Sequence, residues 1–205
     1  MKKNRVSKNW KNKQKKDIFF RQSKIQGYRS RSAFKLIEIN KKFNLIKRNA
    51  DLVDLGASPG GWSQVASKLI SSGKILSVDI KGMEKIEKVT FMRGSIDDSA
   101  FCKKIYKHFD KKIDVVISDM AANTTGNKNL DSFRTGQLCT NAMNLAKDIL
   151  KKDGIFLSKI FMGSSFLELQ ENAKKNFKKV VLYKPLASKK ESKELYIFCK
   201  GISVL

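Results

Sequence analysis

The stretch "DLVDLGASPGGWSQ", residues 51–64, runs from a short apolar segment, through a turn carrying Gly56, Gly60 and Gly61, into residues of helical period. Trp62, Val65, Ala66, Leu69 and Ile70 recur at i, i+3, i+4, i+7 and i+8, the stripe of a helix that faces a core. A strand, a glycine turn and a helix in that order open an α/β sheet. The turn then lies at the carboxyl edge of the strands, where such sheets bind ligands.

The same alternation continues downstream. Strand-like runs are "KILSVDI" (74–80), "VTFMRG" (89–94), "IDVVISD" (113–119), "GIFLSKIF" (154–161), "KVVLYK" (179–184) and "ELYIFCK" (194–200). Between them lie helical segments at 99–109, at 131–150, with Leu138, Ala142, Leu145 and Ile149 on one side and "KKDG" as its stop, and at 164–177. Upstream, "GYRSRSAFKLIEINKKF" (27–43) places Leu36, Ile39 and Phe43 on one helix face, with Ser30 or Ser32 as N-cap and Lys35 at the border of the stripe. Strands of continuous apolar character separated by helices predict a parallel sheet covered on both faces, with the last strand free to pair antiparallel.

The chain of 205 residues is 41% hydrophobic and 30% charged, which suits one globular core and no internal division. Its 43 Lys and Arg against 19 Asp and Glu leave a net charge of +24. That field favours a polyanionic partner, nucleic acid first, and opposes self-association, so a monomer is expected. Residues 1–50 hold 17 basic and 2 acidic residues, so +15 of the +24 lies in the first quarter. Compositional drift would scatter the cations instead of clustering them. Residues 1–27 read as a basic arm, whose aromatics Trp10, Phe19 and Phe20 either stack on bases or, the favoured reading, dock it onto a body spanning 28–205.

The basic N-terminus has no apolar core behind it, and no run approaches a membrane span of about 18 residues. Cys102, Cys139 and Cys199 are far apart and His108 is the sole histidine, so neither a disulfide framework nor a zinc site is supported. A cytoplasmic protein fits these features.

Three ligand classes compete for the glycine turn. The dinucleotide fingerprint G-x-G-x-x-G needs a glycine where Ser58 stands. The phosphate loop G-x-x-x-x-G-K-[ST] fits Gly56, Gly61 and Ser63, but Trp62 occupies the lysine position, so a triphosphate loses its cation. What remains is a ligand of little negative charge. Asp54 precedes the turn, and Asp79 ends the second strand 23 residues after Gly56, near the distance at which a carboxylate takes ribose hydroxyls. A nucleoside with a cationic or neutral tail fits, of which S-adenosylmethionine is the usual one.

In order along residues 20–201, "GYRSRSAFKL", "DLGASPGGWSQ", "VVISDMA", "SKIFMGSSF" and "SKELYIFCKG" resemble the FtsJ family of RNA ribose 2′-O-methyltransferases, most nearly its branch acting on bacterial 23S ribosomal RNA. The resemblance implies a Rossmann-like, seven-stranded S-adenosylmethionine-dependent methyltransferase sheet. It implies a catalytic tetrad of Lys35, Asp119, Lys159 and Glu194, with Lys159 as proton acceptor. It also implies that Gly60, Trp62, Asp79 and Asp119 line the cofactor site, and that the substrate is one uridine in the A-loop of the large ribosomal subunit or its precursor. Two positions depart from the pattern. Where relatives carry the Asp of "GD", this chain has "GSIDDS", leaving Ser95 at that position and Asp97 as a substitute. The family's "SDMAPN" is "SDMAAN", with Ala122 in place of proline, which predicts a looser loop.

The chemistry sets its own demand. Methyl transfer to a ribose hydroxyl is an in-line displacement that needs removal of the hydroxyl proton. A lysine with the ordinary pKa of about 10.4 is mostly charged at neutral pH. Burial of Lys159 between Leu157 and Ile160, and convergence with Lys35, would oppose that charge. Asp119 and Glu194 favour it, so they either orient the lysines or hold the ribose. Arg29 and Arg31, beside Lys35, are the expected phosphate contacts. Other readings are 2′-O-methylation of a tRNA anticodon loop or an mRNA cap, or a non-catalytic ribosome-assembly factor on the same scaffold.

Overall fold

A computed structural model describes residues 17–122, 125–163 and 165–203. Seven strands, β1 (Leu52–Leu55), β2 (Ile75–Asp79), β3 (Val89–Arg93), β4 (Ile113–Ser118), β5 (Leu150–Phe161), β6 (Phe177–Tyr183) and β7 (Glu194–Ile202), form one sheet in the order β3-β2-β1-β4-β5-β7-β6. Pairs β1–β2, β1–β4, β2–β3 and β4–β5 are parallel; β7 alone runs against its neighbours β5 and β6. The strand order reverses between β1 and β4. The glycine turn after β1 therefore opens at the topological switch point.

Side chains alternate across the sheet, and each face carries its own core. On one face Leu52, Ile75, Val115, Ile117, Ile155, Leu157, Tyr196 and Phe198 pack under α2 (Ala33–Phe43) and α3 (Gly61–Leu69). Leu36 and Ile39 of α2 and Trp62, Val65 and Ala66 of α3 cover them, as the periodicity predicts. The opposite face, with Val53, Leu76, Val116, Phe156 and Ile197, lies under α4 (Ser99–Phe109), α5 (Lys128–Ile149) and α6 (Phe166–Asn176). Complete burial of one such Leu or Ile stabilises the fold by about 1.5–3 kcal/mol.

Three elements differ from the sequence reading. Residues 18–25 of the arm form α1 (Ile18–Ile25), capped by Asp17, whose carboxylate accepts from the Phe20 amide at 3.1 Å. Phe19 packs on Phe34 of α2 with ring centroids 5.7 Å apart, so the aromatic docks as expected. Trp10 and the rest of residues 1–16 lie outside the described residues. Secondly, "KKDG" is not the stop of α5. The helix ends at Ile149 and Leu150 enters β5 directly, opposite Ile113; the register then jumps, with Val115 facing Ile155, and residues 151–154 bulge out. Leu150 is buried and Lys151, Lys152 and Asp153 are exposed, so apolar burial pulls the chain into the sheet before the glycine is reached. Thirdly, Ser32 sits at the N-cap of α2 but its hydroxyl makes no cap bond; it pairs with the Ser30 hydroxyl at 2.7 Å, while the Ser32 carbonyl accepts Trp62 Nε1 at 2.9 Å.

Candidate active site

Parity along the strands builds the site. Residues 115, 117 and 119, then 155, 157 and 159, then 198, 196 and 194 share the α2-facing side of β4, β5 and β7. The apolar members fill the core, and the last of each row, Asp119, Lys159 and Glu194, emerge at the edge beside the glycine turn. Lys159 stands opposite Tyr196, and Phe161 opposite Glu194. Because β7 is reversed, its first residue meets the last residues of β5. Lys35 reaches the same place from α2, one residue off the Leu36–Ile39 stripe.

There the four charges form two pairs. Lys159 Nζ donates to the Asp119 carbonyl at 2.6 Å and to Asp119 Oδ1 at 3.0 Å. Lys35 Nζ lies 2.6 Å from Glu194 Oε1, which also accepts the Ser188 hydroxyl at 2.7 Å. Tyr196 links the pairs. Its hydroxyl donates to Asp119 Oδ1 at 2.6 Å, Lys35 Nζ lies 5.7 Å from its ring centroid, and the ring rests on Trp62. Burial would raise the Asp119 carboxyl, but the charges of Lys159 and Lys35 and the Tyr196 hydroxyl outweigh it and hold it below the usual range. Burial, with the Asp119 and Glu194 charges, pushes the Tyr196 phenol well above its ordinary value, so it remains a donor. The sequence reading overlooked Tyr196, although its position two residues after Glu194 puts both on one face of a strand.

Beside the pairs opens a cavity of about 360 Å³ lined by Gly56, Ser58, Asp79, Ser95, Asp97, Asp119, Met120 and Leu138, among others. Gly56 has φ +75°, and a Cβ there would come within 2.4 Å of Met120 Cγ, so only glycine leaves the turn this close to the end of β4. Asp79 Oδ2 accepts the Ser58 amide and Oδ1 the Lys81 amide, at 2.9 and 2.8 Å, fixing the carboxylate at the rim. Ser95 and Asp97 both line the cavity: the Ser95 hydroxyl donates to Asp97 Oδ2 at 3.1 Å, and Asn141 holds Asp97 Oδ1 at 2.7 Å. The two positions in question thus act as one unit.

Several expected residues lie elsewhere. Asp54 does not reach the cavity. It points under α3, 0% exposed, where Oδ2 accepts the Ser63 hydroxyl at 2.7 Å and Oδ1 has no partner; burial pushes it up to about 7. The Gly60, Gly61 and Trp62 positions do not line the cavity either. Their neighbours are Ile86, Arg29 and Met83 at Gly60, Ser30 and Ser32 at Gly61, and Ser32 and Tyr196 at Trp62. What they contribute to the edge is the start of α3, whose N-cap Gly60 offers no side chain to the first amides.

The arginines are occupied by the protein. Arg29 donates to the carbonyls of Pro59, Glu84 and Lys85 at 3.2, 2.8 and 2.9 Å and so ties the glycine turn to the segment after β2. Arg31 pairs with Asp17 and donates to the Ala187 carbonyl, joining α1 to the chain before β7. Both guanidinium groups brace the site instead of standing open for phosphate.

An FtsJ-like methyltransferase model matches residues 28–202. The chain belongs to that family. "Ribosomal RNA large subunit methyltransferase E" of Pelagibacter ubique is 54% identical over 98% of both chains. The protein of the same name from Methanosarcina mazei is 45% identical, over 90% of this chain and 69% of its own. A crystal structure named as a ribosomal RNA methyltransferase from Plasmodium falciparum superposes with a TM-score of 0.76 at 31% identity, over 85% of this chain and 98% of the other. A Streptococcus mutans structure in complex with SAH, at TM-score 0.52 and 13% identity over 82% and 94%, shares the fold alone. The chain departs from the family's "SDMAPN" at Ala122. Ala122 retains an amide N–H, which donates to Thr135 Oγ1 at 3.2 Å, a bond that proline lacks.

Proposed function

We propose that the enzyme methylates a ribose 2′-hydroxyl of large-subunit ribosomal RNA, with S-adenosylmethionine as methyl donor, a uridine of the A-loop as target and Lys159 as general base. The observation that carries this reading is the convergence of two lysine–carboxylate pairs at the rim of a cavity lined by the glycine turn.

The cavity residues fit the donor. Three carboxylates, Asp79, Asp97 and Asp119, surround a small space in a protein of net charge +24, a setting that favours a cation. Asp79 suits ribose hydroxyls, and the Ser95–Asp97 unit suits a base amine. When bound, S-adenosylmethionine supplies an electrophilic methyl carbon.

The chain's own residues then handle the proton. A neutral amine keeps two N–H donors, and Lys159 Nζ has two acceptors on Asp119. Loss of the third proton therefore leaves every donor satisfied and directs the lone pair away from Asp119, where a ribose hydroxyl can present its hydrogen. Asp119 orients the base and Tyr196 steadies Asp119. The Lys35–Glu194 pair, held by Ser188, provides donor and acceptor groups on the far side of Tyr196 for the sugar. Each carboxylate thus serves a lysine first.

Lys159→Ala is expected to abolish transfer of labelled methyl to large-subunit RNA while cofactor affinity, read by calorimetry, stays within a few-fold. Normal turnover of that variant would remove Lys159 from the mechanism. Loss of a single ribose methyl from the A-loop in RNA of cells lacking the protein would identify the nucleotide.

A further inference from the structure

We propose that the loop joining β6 to β7, residues 184–193, is the phosphate-holding element of the RNA surface, with Lys189, Lys190 and Lys193 as its contacts. The proposal rests on the reading above that the substrate is RNA. It answers a question that the site leaves open, because Arg29 and Arg31 already serve protein carbonyls and Asp17.

The loop is placed by the reacting groups themselves. Ser188, immediately before Lys189, donates to Glu194 Oε1, the oxygen that also meets Lys35. Lys193 directly precedes Glu194, and its carbonyl accepts the Met162 amide at 3.0 Å, just past the end of the strand that carries Lys159. The loop that carries these lysines therefore borders the point where a ribose must sit. A phosphodiester chain has to pass there.

The loop is also held. Glu38 of α2 takes the Tyr183 hydroxyl at 2.6 Å and the Leu186 and Ala187 amides at 2.9 and 3.3 Å. Arg31 donates to the Ala187 carbonyl, and Lys184 Nζ closes the far side on the carbonyls of Lys190 and Ser192, at 3.2 and 2.7 Å. Pro185, Ala187 and Ser188 are buried, whereas Lys189, Lys190 and Lys193 are exposed. Among the described residues no carboxylate lies within ion-pair distance of these three amines. Glu191 lies on the same loop, but its one negative charge leaves the three lysines in excess, and an anion relieves that excess. Bracing beforehand lowers the ordering cost that binding would otherwise carry. Such contacts set position and leave sequence choice to other groups.

The test compares two triple variants of the full chain. One is Lys189→Ala, Lys190→Ala, Lys193→Ala; the other removes equal charge from α4, on the opposite face, as Lys103→Ala, Lys104→Ala, Lys107→Ala. Binding to deproteinised large-subunit ribosomal RNA is measured by filter retention across a salt series, with methyl transfer assayed in parallel. The loop variant should bind at least about tenfold more weakly at moderate salt, and its slope of log affinity against log salt should shrink by about 2. Its KM for RNA should rise with kcat within about twofold, and lysine-to-arginine replacement at the same positions should restore the slope. The α4 variant should change far less. Equal losses in both variants, or no loss in the loop variant, overturn the assignment. If the wild-type chain binds RNA through this loop but transfers no methyl group to it, the functional reading falls and the loop assignment stands. If it transfers methyl normally and the loop variant binds as well as wild type, the reverse holds.

Discussion

Asp54 lies within β1 and Asp119 directly after its neighbour β4, on the same face of the sheet, and their environments drive them in opposite directions. Burial is the largest influence on both and works upward on each. Beneath α3, Asp54 meets only the Ser63 hydroxyl, with the negative fields of Asp119 and Asp79 adding to its burden, and it rises to about 7. Asp119 has Lys159, Lys35 and the Tyr196 hydroxyl at hand and is held below the usual carboxylate range. Depth alone does not decide charge inside this sheet; the cations arriving from α2 and β5 do. Beneath the turn lies a carboxyl whose charge burial opposes, and at the rim next to it one whose charge its cations favour.

The sharpest way to break that contrast is Asp119→Asn. It leaves Lys159 facing a neutral amide while Lys35 keeps Glu194, and transfer should fall by about 10²–10⁴. Removing one partner of a largely buried pair should also cost about 3–5 kcal/mol in denaturant unfolding. A variant with normal kcat would mean that the carboxylate does not orient the base.

Asp54→Asn is the complementary change. The native pKa of Asp54 is raised above its unfolded value, so wild-type stability should decline as pH rises from about 4 towards 7 and level off above it. The amide variant should lack that decline. For Asp119 the sign is opposite, since its native pKa is lowered: its contribution is present above about pH 4 and is lost on further acidification. Melting midpoints across pH for both variants separate the two behaviours, and parallel profiles for wild type and Asp54→Asn would refute the assignment of Asp54.

Ser63→Ala is the smallest of the three. It removes the hydroxyl that links Asp54 to Ser77, whose oxygens lie 2.7 Å on either side. The expected loss is about 1–3 kcal/mol, with Asp54 driven further upward and transfer little changed. A fall in activity as large as that of Asp119→Asn would show that the buried trio belongs to the reaction.

Much of this site was legible before folding. Lys35, Asp119, Lys159 and Glu194 were picked out by the family resemblance, and the pairing of β4, β5 and β7 supplies the parity that brings the last three to one side of the sheet. Gly56 was legible because its turn follows a strand. Tyr196 was not, since a tyrosine within "ELYIF" reads as core, and its hydroxyl matters only once β7 reverses beside β5. The depth of Asp54 was hidden for a related reason. Two residues before Gly56, pleating directs it under α3 and away from the open edge, and spacing does not report which side has room. The partners of Arg29 and Arg31 were hidden too, because the carbonyls they reach lie 30, 55 and 156 residues away.

The reversed direction of β7 has a practical corollary. A strand parallel to the others would have offered Gly201 and Ile202 to the reaction rim and sent the polypeptide onward across the substrate. Running backwards, it starts at the rim with Glu194 and delivers residue 203 to the far side of the sheet. Anything fused after that point hangs away from incoming RNA, so a dye or affinity handle attached there should leave catalysis undisturbed.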